Sequence, residues 1–327
     1  MADPMVPPQP PATNSSLQIR PLHESKIADA THVFRLAFGT ILGVPDLETF
    51  WADTNYIASR WHADPSRMFA ADLGGTIVGS IVANYWGSFG FIGPLTVHPA
   101  HWRQAIGHHL MHAAMEQLRA RGPRHLGLYT FAQSPGHHAL YQQFGFYPRF
   151  LTALTSKPVN ATVEDSRWTL LSEANTSEQP ALITACREIT DAIYPGLDVS
   201  VELSAVASQR LGETVLIWGG SQLCAFACCH CGPGTEAGNG NCYIKFGAVR
   251  PGTDAADHFD DLLRAVEAFA LRHGLSRVTA GVNTGRREAY RHVLAAGYRP
   301  AVIGVAMESI ESTGYNHEQA YLIDDWR

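Results

Sequence analysis

The same order of predicted strands, helices and turns occurs twice along the chain, and this repeat limits the possible fold more than any other feature. A strand ending at Pro99 leads into an amphipathic helix, a second strand, a short helix and the pair Gly145-Phe146. A shift of 152 residues places Pro99 on Pro251 and Gly145-Phe146 on Gly297-Tyr298. Because one shift aligns landmarks almost fifty residues apart, we expect two tandem domains of one fold.

The repeat divides the 327 residues into two parts that are each long enough to bury a core. We predict an N-terminal domain over residues 17–155, a linker over 156–166 and a C-terminal domain over 167–310. Residues 1–16 are rich in Pro, Ala and Ser, which is typical of a disordered tail, and residues 311–327 are predicted as a second tail. Within the C-terminal domain, Gly232 to Asn241 is predicted as a flexible hairpin loop.

Composition excludes several classes of protein. The content of 46% hydrophobic and 17% charged residues is typical of a soluble globular protein, and the net charge of −6 argues against a general nucleic-acid binder. Residues 1–16 have neither a basic start nor an apolar stretch, so no secretory signal is expected, and no run of about 18 apolar residues occurs, so no membrane span is predicted. All six cysteines lie between Cys186 and Cys242, unlike a disulfide framework, so we expect a cytoplasmic protein.

The segment from Leu95 to Met111 is suited to binding an anion. It is predicted as a strand, a short polar loop and a helix that opens at Gly107. The N–H groups in the first turn of a helix have no partner within the helix, and the helix dipole is positive there. This arrangement predicts a site for a pyrophosphate.

Together with the later run from Tyr141 to Tyr147, this segment resembles the acyl-CoA loop and the closing helix and Gly-Phe pair of the GNAT acyltransferase superfamily. The resemblance extends from Leu17 to about Phe150, and in outline from about Thr169 to Glu308. It implies a mixed α/β fold of two tandem GNAT-like domains, each a splayed mixed β-sheet flanked by helices. In that family the pantetheine arm of the cofactor lies in the gap of the sheet.

The resemblance implies acetyl-CoA as the co-substrate and assigns its binding to two adjacent segments. The backbone of Leu95, Thr96 and Val97 would pair with pantetheine. The loop that would hold the pyrophosphate consists of Arg103, Gln104, Ala105, Ile106, Gly107 and His108. The family loop usually runs Gln/Arg-x-x-Gly-x-Gly/Ala, but here Trp102 takes the first position and Ala105 the middle glycine. Arg103 can supply the charge that Trp102 lacks.

The resemblance also implies the chemistry. Tyr141, four residues before the Gly-Phe pair, takes the position of the family's general acid, which protonates the departing CoA thiolate. Ser134 stands where the family often has an asparagine. The expected reaction is the transfer of an acetyl group to the amine of a small molecule, by direct attack in a ternary complex.

The sequence leaves the general base and the acceptor open. The segment from Asn84 to Val97 contains no acidic residue, so Asp46, Glu48, Asp53 and the histidines flanking the loop remain as alternatives. The candidate acceptor pocket contains Phe38, Asp46, Trp51, Tyr56 and Trp86. The aromatic residues suggest a partly apolar wall, and the acid Asp46 could hold a cationic amine. His108 and His112 lie one helical turn apart but have no evident third ligand, so no metal site is predicted.

The second copy lacks the residues on which this chemistry depends. The 152-residue shift places Phe259 on Gly107, Asp257 on Ala105 and Val293 on Tyr141. A phenylalanine blocks the approach of a phosphate to the backbone, the acidic side chain repels it, and valine has no proton to donate. We therefore predict a degenerate C-terminal domain that supports the substrate cleft or replaces a dimer partner, which is compatible with a monomer.

Two other functions remain open. The departures at Trp102, Ala105 and Ser134, together with the missing base, are compatible with a non-catalytic acyl-CoA-binding or regulatory module. A structural scaffold in which neither copy binds CoA is the third possibility. Loss of turnover with retention of CoA affinity on replacing Tyr141 by Phe distinguishes an enzyme from a binding module.

Overall fold

A computed structural model describes residues 16–160, 168–309 and 314–327. Within these ranges the chain forms thirteen strands and eight helices. The strands are β1 Leu17–Pro21, β2 Met68–Leu73, β3 Thr76–Trp86, β4 Phe89–Val97, β5 His125–Phe131, β6 Tyr147–Pro158, β7 Trp168–Leu170, β8 Gly212–Gly219, β9 Gln222–Gly232, β10 Gly238–Val249, β11 Arg277–Asn283, β12 Arg299–Glu308 and β13 Leu322–Ile323. The helices are α1 Ile27–Leu42, α2 Ile57–Ala63, α3 Ile106–Arg121, α4 Pro135–Gln142, α5 Gln179–Ile193, α6 Ser200–Gln209, α7 Ala255–Arg272 and α8 Arg287–Ala295. None of these described helices is both long and apolar enough to cross a membrane.

The strands form one continuous mixed sheet. Their order is β1-β2-β3-β4-β5-β12-β6-β11-β10-β9-β8-β7, and β13 pairs with β10. The two halves exchange strands at the centre, because β12 of the second half lies against β5 and β6 of the first half lies against β11. Residues 156–158, predicted as the start of the linker, belong to β6 because they pair with β11. Residues 161–166 of the predicted linker and 1–15 of the predicted tail lie outside the described residues.

The predicted repeat is confirmed in the register of the strands. Phe89–Ile92 of β4 pair in parallel with His125–Leu128 of β5. Asn241–Ile244 of β10 pair in parallel with Arg277–Ala280 of β11, which is the same register shifted by 152 residues. Each half therefore contains a parallel strand pair that separates at the equivalent position.

The long helices follow from the apolar periodicity of the sequence. Ile106, Leu110 and Leu118 on one face of α3 are buried against the first half of the sheet. The helix ends at Gly122, whose φ of 66° places it in the left-handed region that closes many helices. In the second half, α7 buries Phe259 in the same way.

The segment from Gly232 to Asn241 was expected to be a flexible hairpin loop. In the structure it packs against the N-terminal half instead. The N–H of Gly234 donates to the carbonyl of Asp53 at 2.7 Å, and the N–H of Asn55 donates to the carbonyl of Thr235 at 2.9 Å. Glu236, at the tip of this segment, is only 3% exposed. These hydrogen bonds hold residues 53–55 of the first half against the second.

Most of residues 314–327 are packed against the rest of the chain, although residues 317–319 are exposed, so the prediction of a tail over 311–327 is wrong for this part. β13 pairs antiparallel with Gly247 and Ala248 of β10. Asp324 accepts a hydrogen bond from the buried Arg286 at 2.5 Å, and Trp326 is 3% exposed. The segment runs from the second half into the first, where the Trp326 ring lies 4.9 Å from that of Phe89.

Candidate active site

A cleft of about 1040 Å³ opens in the N-terminal half beside the end of β4. Ten of the residues predicted for the site border it: Leu95, Thr96, Val97, Arg103, Ala105, Ile106, Gly107, His108, Ser134 and Tyr141. Gln104, also predicted there, does not border the cleft, because its amide nitrogen turns back and lies 3.4 Å from the carbonyl oxygen of Ala100. The cleft thus brings together residues from two segments about 30 positions apart in the chain.

One wall of the cleft is an open strand edge. β4 pairs with β5 only as far as Ile92, and Leu95–Val97 pair with β3 on their other side. On the cleft side, no described strand pairs with this stretch. The Gly93 carbonyl is already bound, since it accepts hydrogen bonds from Asn84 and Arg60 at 2.7 and 2.8 Å. The free edge can therefore pair with an extended ligand that carries amide groups.

The loop between β4 and α3 presents main-chain N–H groups to the cleft. Among the described residues, the N–H groups of positions 103–107 donate to no acceptor. Arg103 and Ala105 both have positive φ, of 62° and 60°. Unpaired amides at the positive end of a helix such as α3 are suited to binding an anion. The indole N–H of Trp102 is not available to bind an anion, because it donates to the carbonyl of Val97 at 2.7 Å.

Tyr141, Thr130 and His137 form a connected polar group beside the cleft. Burial raises the pKa of the Tyr141 phenol, and a hydrogen bond with the Thr130 hydroxyl partly opposes that shift. The Thr130 oxygen lies 3.4 Å from Nδ1 of His137. Burial lowers the pKa of His137 below its usual 6.5, so its imidazole is neutral at pH 7. At pH 7 the Tyr141 phenol therefore carries its proton, and the neutral imidazole of His137 lies two hydrogen bonds away.

The acidic residues considered as general bases lie elsewhere. Asp46 accepts hydrogen bonds within its own loop, from Thr49 at 2.7 Å, and Asp53 accepts one from the N–H of Asn239 at 2.6 Å. No Asp or Glu side chain in the described ranges borders the cleft, so Glu48 is absent from it too. Of the flanking histidines, His101 and His108 border it, and Nδ1 of His108 is buried without a hydrogen-bond partner among the described residues.

Of the residues predicted for the acceptor pocket, Phe38, Trp51 and Tyr56 border the cleft and Asp46 does not. Trp86 is a core residue instead, 1% exposed, and its indole donates to Glu202 at 3.0 Å. Trp326 and Arg327 also line the cleft and were not predicted, because they lie about 180 residues away from Tyr141 in the sequence.

In the first half, the open edge of β4 at Leu95–Val97 borders a slot in which an extended ligand can lie. The equivalent slot in the second half, beside β10, is filled by the protein itself. The 152-residue shift places Leu95 and Thr96 on Gly247 and Ala248, the two residues that pair with β13. The next residue, Val249, donates its N–H to the carbonyl of Tyr321 at 3.1 Å. The strand edge that is open in the first half is therefore occupied in the second.

Comparison with known proteins adds a family and a fold. Residues 34–146 match the model of the acetyltransferase (GNAT) family. A putative acetyltransferase from Pyrococcus horikoshii has a similar structure, with a TM-score of 0.68 and 14% identity over 97% of this chain and 98% of that one. A GCN5-related N-acetyltransferase from Sphaerobacter thermophilus gives 0.61 and 16%, over 91% and 96%.

A tandem GNAT protein from the clavulanic acid biosynthesis pathway matches over 90% of this chain and 99% of its own, with a TM-score of 0.56 and 14% identity. No curated protein matches the sequence. At these identities the solved structures show the fold, and the family model applies to residues 34–146. These residues thus form the segment that matches the acetyltransferase (GNAT) family, and the described part of the chain has the fold of a tandem GNAT protein.

Proposed function

We propose that the N-terminal domain transfers an acetyl group from acetyl-CoA to the amine of a small molecule. The observation that carries the proposal is the open edge of β4 running into a loop with five unpaired main-chain N–H positions, 103–107. Pantetheine would pair with Leu95–Val97, and the pyrophosphate would accept hydrogen bonds from the loop. Arg103 forms no ion pair with a described residue and supplies a positive charge at the cleft border.

The reaction needs one proton removed from the amine and one delivered to sulfur. The amine nitrogen attacks the thioester carbonyl, and the carbon–sulfur bond breaks as the tetrahedral intermediate collapses. Tyr141 donates its proton to the departing thiolate, and His137 accepts the proton of the amine. Thr130, between them, passes a proton from His137 to the Tyr141 oxygen, which restores both groups. Ser134 borders the same part of the cleft and would hydrogen-bond the bound substrates.

Replacement of Tyr141 by Phe tests the proposal. We expect a loss of about 10²–10³-fold in turnover, because the proton donor is removed, with acetyl-CoA affinity unchanged. Tyr147→Phe is the matched control, since Tyr147 is 53% exposed and should retain full activity. Free thiol released from acetyl-CoA in the presence of a panel of amines measures turnover. Equal turnover in Tyr141→Phe and Tyr147→Phe would refute the role of Tyr141.

A non-catalytic acyl-CoA-binding module is the second candidate. It is favoured by the absence of acidic side chains from the described cleft lining and by Trp102, which turns back onto Val97. Such a module would bind acetyl-CoA with the same loop but release no thiol with any amine. Replacing His137 by Gln separates the two: an enzyme loses turnover, whereas a module has none to lose.

A further inference from the structure

Part of the cleft wall consists of aromatic rings. Phe34, Phe38 and Trp51 pack together, with ring centroids 4.8 Å apart for the two phenylalanines and 5.6 Å for Phe38 and Trp51. Trp326 borders the same cleft. An acceptor that fills this space has an apolar or aromatic body, because a polar one would lose its hydration without new hydrogen bonds.

The cleft is also lined by a cation, Arg327. Its guanidinium lies over the ring of Tyr243 at 4.1 Å, and its Nε is 3.1 Å from a carboxylate oxygen of Asp325. The Tyr243 phenol also hydrogen-bonds the guanidinium, but within the described residues no carboxylate accepts a hydrogen bond from its terminal nitrogens, and 21% of the side chain is exposed. An arginine whose terminal nitrogens are not paired with a carboxylate can bind the carboxylate of a ligand through two parallel hydrogen bonds.

Two phenols lie around the guanidinium. Burial raises the pKa of both Tyr56 and Tyr129, and the charge of Arg327 opposes the rise in each case. Both tyrosines border the cleft. The Tyr129 hydroxyl is buried and has no hydrogen-bond partner, which is costly unless a ligand supplies one. This unpaired hydroxyl is an observation independent of Arg327, and it indicates a polar group of the ligand at the same place.

The C-terminal segment holds Arg327 in this position. β13 fixes the segment in the slot of the second copy, and Asp324 pairs with the buried Arg286. Three residues after Asp324 the chain reaches the cleft of the first copy. The slot that does not bind pantetheine thus anchors a segment that completes the other active site.

We propose that the acceptor is an amine with an apolar or aromatic body and a carboxylate, and that Arg327 binds this carboxylate beside the Tyr129 hydroxyl. The proposal rests on the acetyl-transfer function above and names its substrate class. A carboxylate fits better than a phosphate, because Asp325 already places one negative charge next to Arg327 and a dianion would be repelled more strongly. No acidic side chain in the described lining opposes it.

Matched pairs of small molecules test the carboxylate site. The probes are 3-phenylpropanoate and 3-phenylpropanamide, which differ in charge but hardly in shape, titrated by calorimetry into the full chain saturated with CoA. We expect the acid to bind at least about tenfold more tightly than the amide. In Arg327→Gln this preference should disappear, and in Arg327→Lys it should be reduced, since lysine keeps the charge and loses the planar fork. Equal binding of acid and amide to the wild type would overturn the proposal.

Turnover provides the second measurement. Phenylalanine, phenylalaninamide and 2-phenylethylamine are compared as acceptors by thiol release. We expect Arg327→Gln to lower kcat/KM for phenylalanine by about ten- to hundredfold, mainly through KM, and to change that for 2-phenylethylamine less than threefold. Arg291→Gln is the control, because the Arg291 side chain is 70% exposed. Tyr129→Phe should show a smaller loss of the same kind, and it keeps the measurement decisive if Arg327→Gln does not fold.

The outcomes separate this proposal from the proposed function. If plain amines are acetylated as well as amino acids and the variants change nothing, the carboxylate site is wrong and acetyl transfer stands. If the acid probe binds through Arg327 but no amine releases thiol, acetyl transfer is wrong and the carboxylate site stands.

Discussion

The buried ion cluster between the two halves gives the sharpest prediction about stability. Glu236 is fully buried and accepts hydrogen bonds from Arg60, at 2.8 and 2.9 Å, and from Lys245, at 2.8 and 2.7 Å. Arg60 belongs to α2 of the first half and Lys245 to β10 of the second. Arg60 also donates to the main-chain oxygen of Arg327 at 2.5 Å. One carboxylate therefore joins two cations from different halves next to the cleft.

Glu236→Gln removes the charge and keeps the size of the side chain. Arg60 and Lys245 lose the carboxylate that they share, although the charge of Glu202 still acts on both, and the new amide turns either its oxygen or its nitrogen toward each of them. Removing one partner of a buried ion pair costs about 3–5 kcal/mol, and we expect the unfolding free energy to fall by that amount. Adding Lys245→Met should restore part of the loss, because one of the two unpaired cations is then gone.

Unfolding in urea, followed by circular dichroism, measures the effect. Glu318→Gln is the matched control: Glu318 pairs with Arg287 at 2.8 Å, but both side chains are about 60% exposed. Such a surface pair contributes less than about 1 kcal/mol. A change below 1 kcal/mol in Glu236→Gln, or equal changes in the two variants, would refute the structural role of the cluster.

Three further predictions concern strain and protons. Ala105→Gly relieves the backbone strain at a φ of 60° and should raise the unfolding free energy by about 0.5–1 kcal/mol. Ala113→Gly, in the interior of α3, should lower it by about 1 kcal/mol, and urea unfolding shows whether the two changes have opposite signs. With His137 as base and its pKa lowered from 6.5, kcat/KM should stay level down to about pH 6.5 and fall below the folded-state pKa; a fall already beginning above pH 7 would exclude His137. Burial lowers the pKa of His230 to about 4, so between pH 6.5 and 4 the unfolded chain binds a proton that the folded chain does not. The unfolding free energy should therefore drop by up to about 3 kcal/mol as the pH falls through this window, and a drop of the same size in His230→Gln would show that His230 is not its cause.

The repeat and the loop could be predicted from the sequence because their signals are local. Apolar periodicity marks α3 and α7, and the shift of 152 residues that aligns Pro99 with Pro251 reappears in the strand pairing. Ten of the eleven predicted site residues border the cleft, because they lie in two continuous segments whose order the family resemblance identifies. Their roles as ligands remain predictions.

The rest depends on contacts between distant residues, which no local pattern encodes. β6 and β12 have ordinary strand sequences, and nothing in them shows that they exchange between the halves. Residues 314–327 contain several charged and polar residues and were predicted as part of a tail. Most of them are buried, because Asp324 pairs with Arg286 and β13 pairs with the edge of β10 at Gly247 and Ala248. Arg327 reaches the cleft only through these tertiary contacts.

The central claim is that the chain holds one acyl-CoA site, in the first copy, because its own β13 fills the equivalent slot of the second. Calorimetric titration of the full chain with acetyl-CoA tests this directly through the stoichiometry. We expect one molecule bound per chain. Two molecules per folded chain would show that β13 and Phe259 do not close the second slot, and none would contradict the site at positions 103–107.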